Sequence, residues 1–491
     1  MNQALRRVSL ASLVLFLALL VNVNYVQAFE ASKLVNDPGN GRTFSQQYQY
    51  QRGSIVTADN KTIAESRHVS GIYSYQRYYP DPVPYAPVTG YVTPYSATCI
   101  EGAENKLLAG TDPRLTVRNL IDLITGKPKK GATVQLTINS VVQQAAYAAL
   151  KGTGLPSAAV AIDPSTGAIL ALASYPTFNP NKYATFNGTA LNKADAKYRN
   201  SKQQPLLNRA INETFPPGST FKIVTSSTAF STGKYNPQTP YNAPTDLSLP
   251  GTTNKLINYD NFPCGTGGKQ PLIYAFTVSC NTVFGGLGMH LGGSALRHQA
   301  NKFGMNRTLN IPLAVSQSNY PPVHDPALTA YSAIGQYSDT VTPLQEAMFA
   351  AAIANNGTLM RPYLVQRVIA PNLTNLVTAQ PSVLSQAVSP QVAGEVKQMM
   401  ASVVANPVGT AHATAFIPGL PIAAKTGTAQ NGINNNGLDD AVFTSFAPVD
   451  NPKIAVGVVV KGGGLAADAS APVAVKIIKA YMQYLASAPK R

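Results

Sequence analysis

Phe215-Pro216-Pro217-Gly218-Ser219-Thr220-Phe221-Lys222 is the stretch from which the rest of the chain can be read. Its Pro-Pro-Gly stops the preceding segment and frees the backbone. The apolar residues Phe221, Ile223, Val224, Ala229 and Phe230 then predict a helix. Ser219 therefore stands at a helix N-terminus, with Lys222 one turn on, on the same face, ~4.5 Å along the axis. The positive end of the helix dipole and a partly desolvated setting both disfavour a protonated lysine, which leaves Lys222 free to act as base to the Ser219 hydroxyl. The bland alternative is an N-cap serine beside a solvated lysine. Ser-x-x-Lys also occurs at Ser231/Lys234 and Ser487/Lys490, but the first falls at a helix end marked by Gly233 and the second in the tail around Pro489.

Two more strings follow in order. In Ser279-Cys280-Asn281, Ser279 is a hydroxyl able to pass a proton from Lys222 to a leaving amine, and Asn281 an amide able to orient Lys222 and bind a substrate amide. Alone, the string also reads as a polar bend between two helices. Lys425-Thr426-Gly427-Thr428 heads a strand. Gly427 removes a side chain where a substrate backbone would pair, Lys425 supplies positive potential, and Thr426 and Thr428 offer hydroxyls to a terminal carboxylate. Backbone N–H groups of Ser219 and Thr428 would form an oxyanion hole. An ordinary strand-edge lysine is the alternative for this string alone. Together the three strings supply what acyl transfer by a serine needs without histidine. His68, His290, His298, His324 and His412 stand apart from the motifs in sequence and no Gly-x-Ser-x-Gly occurs, which sets aside a Ser-His-Asp hydrolase.

Around these strings the pattern alternates between sheet and helix. Ala158–Ile162 and Ala168–Ala173 flank Asp163-Pro164-Ser165-Thr166-Gly167, a hairpin turn in which Asp163 is a turn former. Ala441–Ala447 and Ile454–Val460 predict further antiparallel strands beside the one that carries Lys425. Between the strand groups, Thr342-Pro343-Leu344-Gln345 reads as a capping box that opens a helix with one apolar face, Leu344, Ala347, Met348 and Ala351, ended by Gly357. A last helix at about residues 471–485 would pack on the same sheet. The expected class is α/β, an antiparallel sheet sandwiched by helices. Ahead of it, residues 29–150 form a separate mixed module. It holds a short strand at 54–57, a Tyr/Pro-rich loop at 73–95, a strand at 136–138 and a helix at 140–150. Lys127-Pro128-Lys129-Lys130-Gly131 reads most simply as a solvated turn, with a lipid-binding patch as the second reading, and the Gly-rich run 265–269 fails as a phosphate loop because Pro263 and Gln270 occupy required positions.

A chain of 491 residues suggests two or three domains. Only 12% of residues are charged, yet the net charge is +16, which favours anionic partners. No basic run, recognition helix or zinc spacing supports nucleic acid; an anionic envelope fits the charge better. Neither C-x-x-C nor H-E-x-x-H occurs, so no metal and no cofactor are expected. Arg6 and Arg7 precede an apolar run from Val8 to Val21; extended to Ala28 it reaches ~30 Å as a helix, enough for a bilayer. Val26-Gln27-Ala28 equally suits a signal-peptidase site, and either reading puts the remainder outside the cytoplasm. Cys264 and Cys280 are sixteen residues apart. In an oxidising compartment they would form a disulfide contributing ~3 kcal/mol, with two separate buried thiols as the alternative. Cys99 is the odd one left over.

With Arg52-Gly53-Ser54-Ile55, Ile100-Glu101-Gly102, the stretch from Asp163-Pro164 to Pro176, Gly335-Gln336 and Thr342–Gln345 added, the three strings resemble the class B penicillin-binding proteins, most nearly the actinobacterial A type. No stretch resembles the glycosyltransferase domain of class A relatives. The resemblance implies a cytoplasmic tail (1–7), a single uncleaved membrane anchor (8–28), an N-terminal pedestal (29–150) and a penicillin-binding/β-lactamase-like transpeptidase domain (151–491) outside the cell. It further implies a D,D-transpeptidase. Ser219 would attack the carbonyl between the last two D-alanines of a peptidoglycan stem peptide, and a neighbouring amine would release the acyl group. β-Lactam antibiotics would acylate Ser219, and divisome or elongation proteins would be partners. A D,D-carboxypeptidase, or a non-enzymatic β-lactam sensor or division scaffold, are the rivals; no glutamate is recognisable as a water activator, which argues against efficient hydrolysis. Two departures stand out. The chain has no Trp, so Ala441-Val442-Phe443 replaces the aromatic usual after the third string, and Asp59-Asn60 stands where pedestals usually carry Arg or Asn before Gly.

Overall fold

The computed structural model describes residues 2–35, 47–115, 129–266, 268–430 and 437–487. Lys127 and Pro128 of the basic turn, and Lys490, lie outside them. Helix α1 (Asn2–Tyr25) opens a 28-residue helical stretch, Gln3–Glu30, long and apolar enough to cross a membrane, with none of its apolar window buried against the protein. Phe16 is 73% exposed there. A helix so apolar, with none of that window buried among the described residues, is a candidate membrane anchor.

The pedestal begins with strands β1 (Ile55–Val56), β2 (Thr62–His68) and β3 (Tyr75–Tyr78), then helix α2 (Pro82–Thr89). Strand β3 and helix α2 correct the expected Tyr/Pro loop. Pro82 opens the helix and Pro84 sits in its first turn, where backbone N–H groups have no intrahelical partner to lose. Burial of Tyr85, Ala86, Pro87, Val88 and Thr89 then outweighs the poor helix propensity. Strand β4 (Thr133–Leu136) stops where a strand was expected to start, because Asn139 becomes the N-cap of helix α3 (Ser140–Thr153), accepting from the N–H groups of Val141 and Val142. Asp59 clamps the same helix end, accepting from Ser140 N (3.0 Å) and Oγ (2.5 Å). Asn60 takes a left-handed φ of 64°, tolerable for asparagine, and accepts from Gln135 Nε2 at 2.8 Å.

The C-terminal half starts with the hairpin β5 (Ser157–Ile162) and β6 (Ile169–Tyr175), whose turn Asp163 stabilises by accepting from Ser165 N at 2.9 Å. Helices α4 (Lys222–Ser231), α5 (Leu272–Thr277), α6 (Asn281–Leu291) and α7 (Pro343–Ala354) follow. Then come strands β7 (Val365–Ile369) and β8 (Asn375–Thr378), helix α8 (Pro390–Ala405), strands β9 (Ala423–Ala429), β10 (Asp440–Ala447) and β11 (Ile454–Val460), and helix α9 (Ala471–Ser487). The five-stranded antiparallel sheet runs β9-β10-β11-β5-β6, with β9 at its edge. Helix α7 packs on one face, α3 and α9 on the other.

Two details differ from the sequence pattern. All twelve residues of α7 are buried, not one stripe, because the helix lies between the sheet and a second helical layer that includes α8. Its capping box is half made: Thr342 Oγ1 accepts from Gln345 N (3.2 Å), while Gln345 Nε2 donates to Phe303 O (2.8 Å). The second sheet runs β8-β7-β4-β1-β2-β3, so the 365–378 hairpin of the C-terminal half completes the sheet of the N-terminal module. Beside it, Glu101 is fully buried between Arg52 Nε (2.7 Å) and Arg77 Nε (2.5 Å). Burial pushes its carboxyl up, but Arg77 and Arg52 outweigh that and hold it below the usual carboxylate range.

Candidate active site

Pro217 and Gly218 lead into one 3₁₀ turn, Gly218–Phe221, before α4 continues from Lys222. Phe221, Ile223 and Val224 are buried, which seats the turn firmly and leaves Ser219 partly exposed on the wall of a cleft of about 440 Å³. Strand β9 forms the opposite wall. A Cβ on Gly427 would lie 2.7 Å from Pro217 O and 3.0 Å from Thr220 Cγ2. Gly427 is thus needed where the strand touches the nucleophile turn, in addition to any room it leaves a substrate. Gly335 is held the same way: at φ 72°, its Cβ would sit 2.3 Å from Gly218 O, and its carbonyl accepts from Gly218 N at 3.0 Å.

The second string is a bend between α5 and α6, so its bland reading and its functional one describe the same place. Ser279 adopts a left-handed φ of 61°, which turns its carbonyl and hydroxyl into the cluster beneath the cleft. Lys222 Nζ lies 2.7 Å from Ser279 O, 2.8 Å from Asn281 Oδ1 and 3.3 Å from Ser279 Oγ. Lys425 Nζ lies 2.9 Å from Ser279 Oγ and 3.0 Å from Thr426 O. Among the described residues, no hydrogen bond joins Ser219 Oγ to Lys222 Nζ; Ser279 and Asn281 orient the amine instead.

Both lysines are fully buried, and among the described residues no carboxylate lies within ion-pair distance of either. Burial, then the charge of Lys425, lowers the Lys222 amine well below the ordinary lysine value. Burial alone lowers Lys425 to about 7. The site therefore places a serine one helical turn from a lysine disposed to be neutral, with a second hydroxyl bridging that lysine to another amine.

Two contributors, Asn258 and Thr410, carry no sequence signal of their own, whereas Gln336 belongs to a string already part of the resemblance. Asn258 Oδ1 accepts from the N–H groups of Asn281 (2.8 Å) and Thr282 (3.0 Å), fixing the start of α6. Gln336 Nε2 donates to Thr428 O at 2.9 Å, holding the end of the third string. Thr410 and Thr426 share a hydroxyl contact of 2.7 Å. Glu346 does have a signal, being the one acid in an apolar helix. It is fully buried with Oε1 2.8 Å from Thr220 Oγ1, and burial, partly offset by that bond, raises it to about 8. Cys264 and Cys280 form a disulfide (Cα–Cα 5.9 Å) that ties the cleft's rim to the second string. Cys99 is the free cysteine, its thiol pushed up to about 11 by burial. Phe443, in the strand that lacks tryptophan, is fully buried opposite Thr426.

Residues 157–483 match the family described as penicillin binding protein transpeptidase domain, and residues 52–134 the penicillin binding protein A dimerisation domain. The peptidoglycan D,D-transpeptidase PbpA of Mycolicibacterium smegmatis is 43% identical over 470 residues, covering 94% of each chain. Its namesake in Mycobacterium tuberculosis is 41% identical over 496 residues, 98% of this chain and 99% of that one. Among solved structures, penicillin-binding protein A from M. tuberculosis as a ceftriaxone acyl-enzyme complex superposes with a TM-score of 0.85 at 39% identity, covering 89% of this chain and 99% of that one. Its penicillin G acyl-enzyme complex gives a TM-score of 0.84 at 39% identity, covering 88% and 100%.

Proposed function

The chain belongs to the penicillin-binding-protein transpeptidase family and is a peptidoglycan D,D-transpeptidase, and on that premise we propose how its residues divide the chemistry. Ser219 Oγ attacks the carbonyl between the two terminal D-alanines of a stem peptide. Neutral Lys222 takes the hydroxyl proton. Backbone N–H groups of Ser219 and Thr428 receive the oxyanion. Thr426 and Thr428, in the field of Lys425, hold the terminal carboxylate. Ser279 passes the proton from Lys222 to the departing D-alanine amine, the peptide C–N bond breaks, and an acyl ester remains on Ser219. An amine of a neighbouring stem peptide then attacks that ester, forming the crosslink and returning the proton to the serine. A β-lactam follows the first half and stays on Ser219.

The observation that carries this division is the bridging position of Ser279 Oγ, 3.3 Å from Lys222 Nζ and 2.9 Å from Lys425 Nζ. A neutral lysine has two N–H donors and one lone pair. Lys222 can spend the donors on Ser279 O and Asn281 Oδ1, at 2.7 and 2.8 Å, and keep the lone pair for a hydroxyl proton. Lys425 donates to Ser279 Oγ, so the Ser279 proton is free to point into the cleft at a leaving amine while the oxygen's second lone pair accepts from protonated Lys222. Glu346 bears on the choice of acceptor. Its carboxyl lies beneath Thr220 and not on the cleft wall, and is held protonated at neutral pH, which supports an amine acceptor over an activated water. We place the catalytic half on the outer face of the membrane, anchored by α1, with the pedestal available to divisome or elongation proteins.

The test incubates the full chain in detergent with a stem pentapeptide, with and without an amine acceptor. Crosslinked product with stoichiometric D-alanine release, absent in Ser219→Ala, is expected. Hydrolysed tetrapeptide as the sole product in both reactions would assign a carboxypeptidase instead.

A further inference from the structure

Thr410 lies in none of the three strings, yet its hydroxyl reaches Thr426, assigned above to the substrate carboxylate. Its Oγ1 is 2.7 Å from Thr426 Oγ1, and the residue lines the same cleft as Ser219. Its backbone is fixed: Thr410 N donates to Thr277 O at the end of α5, joining the 406–411 loop to the helix that precedes Ser279. From these contacts we infer that Thr410 is a positioning residue for carboxylate recognition, setting the direction of the Thr426 hydroxyl proton. The inference rests on the reading above, in which Thr426 binds the carboxylate.

The argument is a count of protons. A threonine hydroxyl has one proton and two lone pairs. Among the described residues Thr426 Oγ1 has two polar neighbours, Thr410 Oγ1 at 2.7 Å and Lys425 Nζ at 3.4 Å. The ammonium only donates. If Thr426 spent its proton on Thr410, it would face the cleft with lone pairs and repel a carboxylate. If Thr410 donates instead, Thr426 accepts twice within the protein and its single proton is free to point into the cleft. Within the described protein either direction leaves one hydroxyl proton without an acceptor, and it is a carboxylate beside Thr426 that selects Thr410→Thr426. A carboxylate arriving in the cleft reinforces that order, because a hydroxyl that accepts is a better donor.

The test compares second-order acylation rates of the full-length protein by penicillin G, which carries a carboxylate, and by its methyl ester, which does not. Thr410→Val keeps the shape and removes the donor. Loss of one charge-assisted hydrogen bond predicts a rate about 10-fold slower with penicillin G, little change with the methyl ester, and recovery to within about threefold in Thr410→Ser. Unchanged penicillin G acylation in Thr410→Val, or equal losses with both compounds, would overturn the inference; the second outcome would mark Thr410 as a purely structural support. Thermal melting of each variant separates misfolding from either result. Failure of the Ser219 assignment itself would appear differently, as wild-type protein carrying its adduct elsewhere.

Discussion

Two lysines share one serine hydroxyl in this cleft, and their burial decides which keeps its proton. Lys222 is pushed further from the charged form because it feels Lys425 as well as the apolar surroundings. Replacing it with Met should leave a folded protein and slow acylation by about 10²–10⁴-fold, the usual worth of a general base, measured as penicillin G adduct per unit time. Burial lowers the Lys425 amine to about 7. An amine is charged below its pKa, so its attraction for a carboxylate weakens as pH rises through about 7. Acylation by penicillin G should therefore fall above neutrality relative to acylation by the methyl ester, and a constant ratio across pH 6–9 would contradict it. These residues were legible because the chemistry needs fixed types at short local spacing: a serine and a lysine one helical turn apart, a glycine inside a strand. Asn258 and Thr410 were not, because each acts across a gap of 23 or 16 residues and alone reads as an ordinary loop residue.

Among the elements, the 217–221 turn is wedged between strand β9 and the loop at Gly335. Gly335→Ala would need a positive φ and collide with Gly218 O, at 2.3 Å. It should destabilise by about 1–3 kcal/mol in denaturant melts and slow acylation by shifting Ser219. Gln336→Ala leaves the Thr428 carbonyl without its 2.9 Å donor and should cost about 10-fold in acylation with a smaller effect on stability. Beneath the turn, Glu346 is held near 8 against 4.5 in the unfolded chain. A raised folded pKa contributes stability that is complete below about pH 4.5 and is lost as pH climbs through about 8. The buried lysines tilt stability the other way above 7, so the difference in melting temperature between wild type and Glu346→Gln is the clean readout, and it should shift toward the variant from pH 5 to 8. The strands and the closing helix were readable from alternation and turn residues. Helix α2 was not, since burial overrode its prolines, and the full burial of α7 depends on a second helical layer that a single apolar stripe does not announce.

At the level of the whole molecule, one sheet crosses between the two halves. Strand β7 pairs with β4, and Arg367 Nε donates to Gln135 Oε1, 232 residues away in sequence. Pairing at that range leaves no local pattern, so the shared sheet was invisible in the sequence even though strand-like runs on each side were not. Removing Glu101 would strand two buried guanidiniums, an expected loss of about 3–5 kcal/mol. Because the halves share a sheet, Glu101→Ala should lower a single calorimetric transition; two separated transitions would contradict that coupling. The net charge of +16 favours anionic partners, and the bare apolar helix α1 is long enough to cross a membrane. All of this architecture converges on one oxygen atom in the cleft. Its reactivity is tested most directly by treating the full chain with penicillin G, weighing the intact protein and mapping the modified peptide. The account predicts one adduct, on Ser219, lost in Ser219→Ala and formed far more slowly in Lys222→Met; an adduct on another side chain, or undiminished labelling of Lys222→Met, would contradict it.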